Sequence, residues 1–258
     1  MDDFRKKLPM LAREETRLEI PVKVRFRARL FRKQQHWEYL SDYYMEQASK
    51  RTPLYLPCIY MKEEWNYLCR YAGIRKSQVS AVLIDANDAR TDYFLYEFLE
   101  SLNYLTIVTE RREYFENFTE RAFQELGLLI DLVCPWEAKK LLGNLVWDFS
   151  GKLQSADCYP QGSICFAPCK NRRKLKAVRE NCPTVAAVGA PAVVIGPYEL
   201  SASLAESLLV PDKFPFRKSR CEELRQWCMG NGWHMKMTAQ KGNEEAYEST
   251  ANTCCLGM

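Results

Sequence analysis

Three consecutive pieces decide the fold: Val79-Ser-Ala-Val-Leu-Ile-Asp-Ala86, Thr91-Asp-Tyr-Phe-Leu-Tyr-Glu-Phe-Leu-Glu-Ser-Leu102 and Tyr104-Leu-Thr-Ile-Val-Thr109. The first is an apolar run of strand length, and the second sets Phe94, Leu95, Phe98, Leu99 and Leu102 on one side at helical spacing. The third is a strand again, reached through a turn at Asn103. Further along, Arg112 to Leu126 reads as a helix closed by Gly127, and Leu128 to Val133 as a third strand. Pro135 then breaks the chain, and Glu137 to Leu142 reads as a short helix. Further strands are predicted over Leu145 to Phe149, Ser163 to Ala167, Thr184 to Val188 and Ala192 to Ile195, with helices over Asn171 to Asn181 and Glu199 to Leu209. Strands that are apolar throughout and separated by helices need cover on both faces, which is the condition for a parallel sheet with right-handed crossovers. The expected fold class is therefore α/β, a doubly wound, mostly parallel sheet.

The rest of the composition agrees. The chain has 258 residues, 47% hydrophobic and 27% charged, enough to bury a core and too apolar for disorder to dominate. No run approaches the roughly 18 to 20 apolar residues of a membrane span, and no apolar segment follows Met1-Asp2-Asp3 as a signal peptide requires. A cytoplasmic protein without a membrane span is expected. Eleven cysteines, an odd number, point to reduced thiols. With no Cys-x-x-Cys pair, and with His36 and His234 as the only histidines, no zinc site is expected.

Charge divides the chain into a net +6 over residues 1–75, −6 over 76–151 and +4 over 152–258. The expected organisation is a basic helical N-terminal cap over 1–75, the α/β domain over 76–234 and a disordered tail over 235–258, where periodicity fades. Within the first part, a short extended piece is expected at Ile59 to Met61 and a helix over Lys62 to Tyr71, ending at Gly73. Near the end, a helix is expected over Cys221 to Cys228. The basic excess concentrates in residues 23–33, on a helix expected from about 24 to 48. That segment suits either an acidic protein surface, such as the middle of this same chain, or nucleic acid. The last four residues, Cys255-Leu-Gly-Met258, have the outline of a prenylation signal, with Gly257 out of pattern.

The strand spacing, and the passage from Leu128-Leu-Ile-Asp-Leu-Val133 to Gly143-Asn-Leu-Val-Trp-Asp-Phe-Ser-Gly151, resemble the Rossmann-like nucleotide-binding superfamily over about residues 76 to 210. The resemblance is one of pattern and attaches to no specific family. It implies a ligand at the turn after the first strand, where a Gly-x-Gly-x-x-Gly fingerprint normally cradles a pyrophosphate. Here that turn reads Asp85-Ala-Asn-Asp-Ala-Arg-Thr91, with no glycine and with carboxylates where a phosphate would sit. Candidate ligand-binding residues are Asp85, Asn87, Asp88, Arg90 and Thr91 in this turn. At the end of strand two they are Thr109, Glu110, Arg111 and Arg112, which resemble the acidic ribose contact or a cradle for a 2′-phosphate, so that NAD(P) is one cofactor the resemblance implies. Asp148 and Ser150 complete the set at the end of strand four.

A second reading starts from the acids alone. In a parallel sheet Asp85, Asp88 and Asp148 share the carboxyl edge, where carboxylates can hold Mg²⁺. The turn resembles, loosely, those of NYN-type metal-dependent nucleases and of phosphoacceptor receiver domains. That implies a Mg²⁺-dependent phosphoryl-transfer enzyme or nuclease. Alternatively Asp85, Asp88 and Asp92 cap the helix that follows them. A third reading is a non-catalytic interaction module with a vestigial crevice. Acyl transfer lacks a Gly-x-Ser-x-Gly elbow, and with two histidines there is little to serve as a general base.

Overall fold

The computed structural model describes residues 55–75, 78–139, 141–150, 159–167, 184–189, 192–209, 217–241 and 247–250, with parts of 176–182. The basic segment 23–33, the helix expected over 24–48, the C-terminal tetrapeptide and most of the helix expected over 171–181 lie outside them.

Among the described residues, strands β1 (Ser80–Ile84), β2 (Tyr104–Val108), β3 (Leu129–Val133), β4 (Leu145–Asp148), β5 (Ile164–Phe166) and β6 (Ala186–Val188) pair in the order β3-β2-β1-β4-β5-β6. All of these pairs are parallel. This is the strand order of the Rossmann fold, in which the sheet reverses direction of winding between β1 and β4. Beyond β6 the sheet continues through β9 (Trp233–Lys241), antiparallel to both neighbours, to β7 (Ala192–Ile195) and β8 (Tyr198–Ser201). Strand β10 (Tyr247–Thr250) pairs with β9.

Alternation along the strands supplies two cores. Ala81, Leu83, Leu105, Ile107, Leu145, Trp147, Ile164 and Phe166 face one cluster, while Val82, Ile84, Val108, Val146 and Cys165 face the other. The sheet is thus covered on both faces, as a parallel sheet requires. The first core is centred on Trp147 of β4, which lies 4.6 Å from Phe166, 5.2 Å from Phe94 and 6.1 Å from Trp65 between ring centroids. Trp65 comes from helix α2 (Met61–Ala72), and Phe94 from α3 (Ala89–Phe98). Helix α4 (Arg112–Leu126) follows β2 and ends at Gly127 as its sequence predicts.

Several expectations are corrected. The piece around Ile59 is helical, not extended: α1 (Tyr55–Ile59) precedes α2. Pro57 is tolerated because it sits in the first turn, where a missing N–H is not needed. The N-terminal amides of Tyr55 and Leu56 donate to the buried Glu206 carboxylate at 2.8 and 2.9 Å, a cap from 150 residues away. Glu206 lies on helix α5 (Ala202–Leu209), which is shorter than expected. Residues 198–201 instead form the return strand of a two-residue hairpin, whose turn uses the positive φ (60°) of Gly196. The helix expected over 137–142 is absent from the described residues, which form a turn at 135–137 and then irregular chain. The helix over 91–102 begins earlier, at Ala89, because Asp88 caps it, and finishes as a 3₁₀ turn over Leu99–Ser101.

The tail expected to be disordered from 235 contains β9 and β10. The period-two signal was present: Trp233, Met235 and Met237 are buried, while His234 and Lys236 are half-exposed. Strand β9 sits between β6 and β7, so it is held by pairing on both edges despite its polar alternate residues. The preceding helix, α6 (Lys218–Gly230), is longer than Cys221 to Cys228. Among the described residues no helix is long and apolar enough to cross a membrane.

Candidate functional site

Parallel pairing fixes the site. Ile84 of β1 is in register with Val108 of β2 and Asp148 of β4, so the three chain segments that follow leave the sheet at one edge. Asp85, Thr109 and Phe149 are the next residues of those segments, and all the sequence-predicted candidates lie on or just beyond them.

Asp85 is the hub. Its side chain is 2% exposed and accepts five hydrogen bonds. Oδ1 takes the Asn87 amide at 2.8 Å, Thr91 Oγ1 at 2.8 Å and Arg111 Nη2 at 2.9 Å. Oδ2 takes Thr109 Oγ1 at 2.8 Å and Arg111 Nε at 2.9 Å. Burial alone raises a carboxyl pKa, but here the donors, led by Arg111 and Thr109, outweigh it and hold Asp85 below its ordinary value. The same bidentate contact pushes the Arg111 guanidinium up. The face of that guanidinium lies 4.7 Å from the Tyr114 ring centroid and 5.3 Å from Phe115, so α4 holds it from the far side.

A second Asp–Arg pair occupies the helix start. Asp88 is the N-cap of α3, accepting the Arg90 amide at 2.9 Å. It also takes Arg90 Nε at 3.1 Å and Nη2 at 2.5 Å. Arg90 is buried, and its Nη2 reaches across to the Phe149 carbonyl at 2.9 Å, tying the β1 turn to the end of β4 over the point where strand order reverses. Its Nη1 is buried without a hydrogen-bond partner among the described residues. Asn87, between the two acids, has φ 58°, and is the sole non-glycine residue with positive φ among those described. Asn tolerates this region better than most residues, so it makes the bend that glycine makes in the usual fingerprint.

Beside this turn is a cavity of about 290 Å³ lined by Asp85, Asn87, Thr109, Glu110, Arg111 and Ser150, with Ile84, Ala86, Val108 and Pro135 as its apolar wall. Six of the eleven candidates therefore converge on one space. Thr91 bonds Asp85 outside the lining, and Arg90, paired with Asp88, bonds the Phe149 carbonyl. Arg112 does not join: it extends along α4 toward Glu116 at 3.7 Å, with both side chains exposed. Asp148 is fully buried below the rim, its Oδ1 accepting the Ser150 amide at 2.9 Å and Ser150 Oγ at 2.5 Å. The apolar wall was not singled out from sequence, where strand residues read as core. The pairing of Arg111 with Asp85 was also missed, because 26 residues separate them.

This geometry offers little to a magnesium ion. Asp85 is saturated by donors, Asp88 faces Arg90, and Asp148 is engaged below the surface. Among the described residues no group of three His, Cys, Asp or Glu is placed to hold a metal ion. Two of the three acids are each held by an arginine, and a cation would have to displace it.

No protein-family model matches the chain, and no curated protein matches it. Solved structures similar to it include shikimate 5-dehydrogenase from Listeria monocytogenes, in complex with shikimate and NAD. That match has 12% identity and a TM-score of 0.39, and covers 62% of this chain and 60% of that one. Another is the ligand-free 5-ketofructose reductase of Gluconobacter sp. strain CHM43, at 10% identity and a TM-score of 0.35, covering 63% and 61%. The chain spans about three fifths of the length of each. Likeness this slight says nothing of ligand or reaction. The Rossmann-like character rests on the strand order itself, and no specific family is shown.

Proposed function

We propose that this Rossmann-like protein binds a nucleotide-type ligand at the turn after β1, without the glycine fingerprint. The observation that carries the reading is the cavity at the carboxyl edge of β1 and β2, where open α/β sheets place ligands. Its volume is near the lower end for small-molecule pockets, and it pairs an apolar wall with a few convergent polar groups. Glu110 follows β2, the position from which an acidic side chain meets a ribose in this superfamily.

Thermal unfolding of the full chain with NAD, NADP, ATP, adenosine and Mg²⁺ tests it, since a ligand at a hundred times its Kd adds about 2.7 kcal/mol. A rise in Tm with any nucleoside-containing compound, lost in a variant that fills the cavity such as Ala86→Phe, supports the proposal. No rise with any of them refutes it and leaves the second reading, a non-catalytic interaction module. That reading is favoured by the Arg90 bridge from Asp88 to the Phe149 carbonyl, which ties the turn after β1 to the end of β4 within the protein.

A further inference from the structure

We infer that the cavity selects a nucleoside that carries no phosphate, an inference that rests on the nucleotide-site reading above. A pyrophosphate on this fold is held by amides at the start of the first helix, by the dipole behind them and by the absence of side chains in the turn. Each of these is diminished here. The Asn87 amide is bonded to Asp85 and the Arg90 amide to Asp88, so two of the amides at the helix start already serve carboxylates. The Asp88 side chain, paired with Arg90, sits at the positive end of α3 and takes the place a phosphate would occupy. Arg90, the cation best placed to offset this, is committed to Asp88 and to the Phe149 carbonyl.

The cavity itself adds to the discrimination. Its charged lining residues are Asp85, Arg111 and Glu110. Asp85 and Arg111 neutralise each other in a bidentate pair, which leaves Glu110 as the net charge, a single negative one. The hydroxyl protons of Thr109 and Ser150 are used within the protein: Thr109 Oγ1 donates to Asp85 and accepts from the Arg111 amide, and Ser150 Oγ donates to Asp148. The exposed side chains of Glu110 and Asn87, with the Arg111 Nη1 group that does not bond Asp85, remain to meet a ligand. A carboxylate and a carboxamide beside an apolar wall suit a sugar diol and a flat base, and the leftover negative charge admits a neutral or cationic nucleoside while repelling an anionic one. At about 290 Å³ the space also suits one nucleoside better than a dinucleotide.

The test is isothermal titration of the full chain with adenosine, guanosine, cytidine, uridine, the cationic nucleoside S-adenosylmethionine, AMP and NAD. At least one phosphate-free nucleoside is expected to bind, and AMP and NAD at least tenfold more weakly than the matching adenosine compound. Glu110→Gln, on an exposed side chain with no hydrogen bond or ion pair among the described residues, is expected to narrow the adenosine-to-AMP ratio several-fold. AMP or NAD binding as well as adenosine overturns this inference and leaves the nucleotide site standing. An unchanged ratio in Glu110→Gln overturns the electrostatic account. No binding by any of the compounds refutes the site itself.

Discussion

The Asp85–Arg111 pair is unequal in burial, and that inequality predicts an unequal response to mutation. Asp85 is 2% exposed and Arg111 24%. Replacing Arg111 by Met removes the two guanidinium bonds and leaves a buried carboxylate with only the Asn87, Thr91 and Thr109 donors. Removing one partner of a buried pair costs about 3–5 kcal/mol. Partial exposure of Arg111 places the expected loss near the lower end, about 3 kcal/mol. Asp85→Asn keeps an acceptor in place and leaves behind a cation that can reach water, so its expected loss is about 1–2 kcal/mol. In Asp85→Asn/Arg111→Met the uncompensated charge is gone, and the double variant should be more stable than the two single losses imply, by about 1–2 kcal/mol. Urea unfolding of the four proteins at pH 7 measures all three quantities. The pH dependence supplies an internal check. Asp85 has a folded pKa below the unfolded value of 3.8, so its contribution is complete above 3.8 and is lost as pH falls through the folded pKa. The Asp85→Asn protein should lack that loss. Arg111→Met no more harmful than Asp85→Asn, or strict additivity in the double variant, would refute the reasoning.

Other expectations follow from single observations. Glu64 of α2 is fully buried, with neither carboxyl oxygen hydrogen-bonded among the described residues, and burial, with Glu63 beside it, pushes its pKa well above 4.5. Its contribution is fully present below 4.5 and lost as pH rises toward the folded pKa, at about 1.4 kcal/mol per unit. Glu64→Gln should abolish that slope in urea unfolding between pH 4.5 and 6; an unchanged slope assigns it to another group. A methyl group on Gly143 would stand 3.0 Å from the Ser80 carbonyl and 3.0 Å from Val82 Cγ2, so Gly143→Ala should destabilise by about 1–3 kcal/mol. A loss below 0.5 kcal/mol, roughly the noise level for surface changes, would show that β1 yields there. At Asn87, with φ 58°, Gly should match or exceed wild-type stability, while Ala should lose about 1 kcal/mol in thermal unfolding. Equal stability of the Ala and Gly variants would mean that the turn relaxes.

The part of the fold governed by local pattern was legible in the residues alone. The apolar runs at 80–84, 104–108 and 145–148 and the helical spacing of 94, 95 and 98 were legible because each element must bury its own faces, and its period records which residues do so. From these, parallel order and a shared carboxyl edge followed, and with them the neighbourhood of Asp85, Thr109 and Asp148. Tertiary structure decided the rest, because it depends on partners distant in the chain. Glu206 converts 55–59 into a helix by capping it from α5, and β9 becomes a strand because β6 and β7 flank it. Most consequential for the site, the acids that look like free ligands in the turn are held by Arg90 and by Arg111. A sequence reports that a carboxylate is present, whereas the free energy of leaving it unpaired depends on burial and on which cation the fold brings beside it.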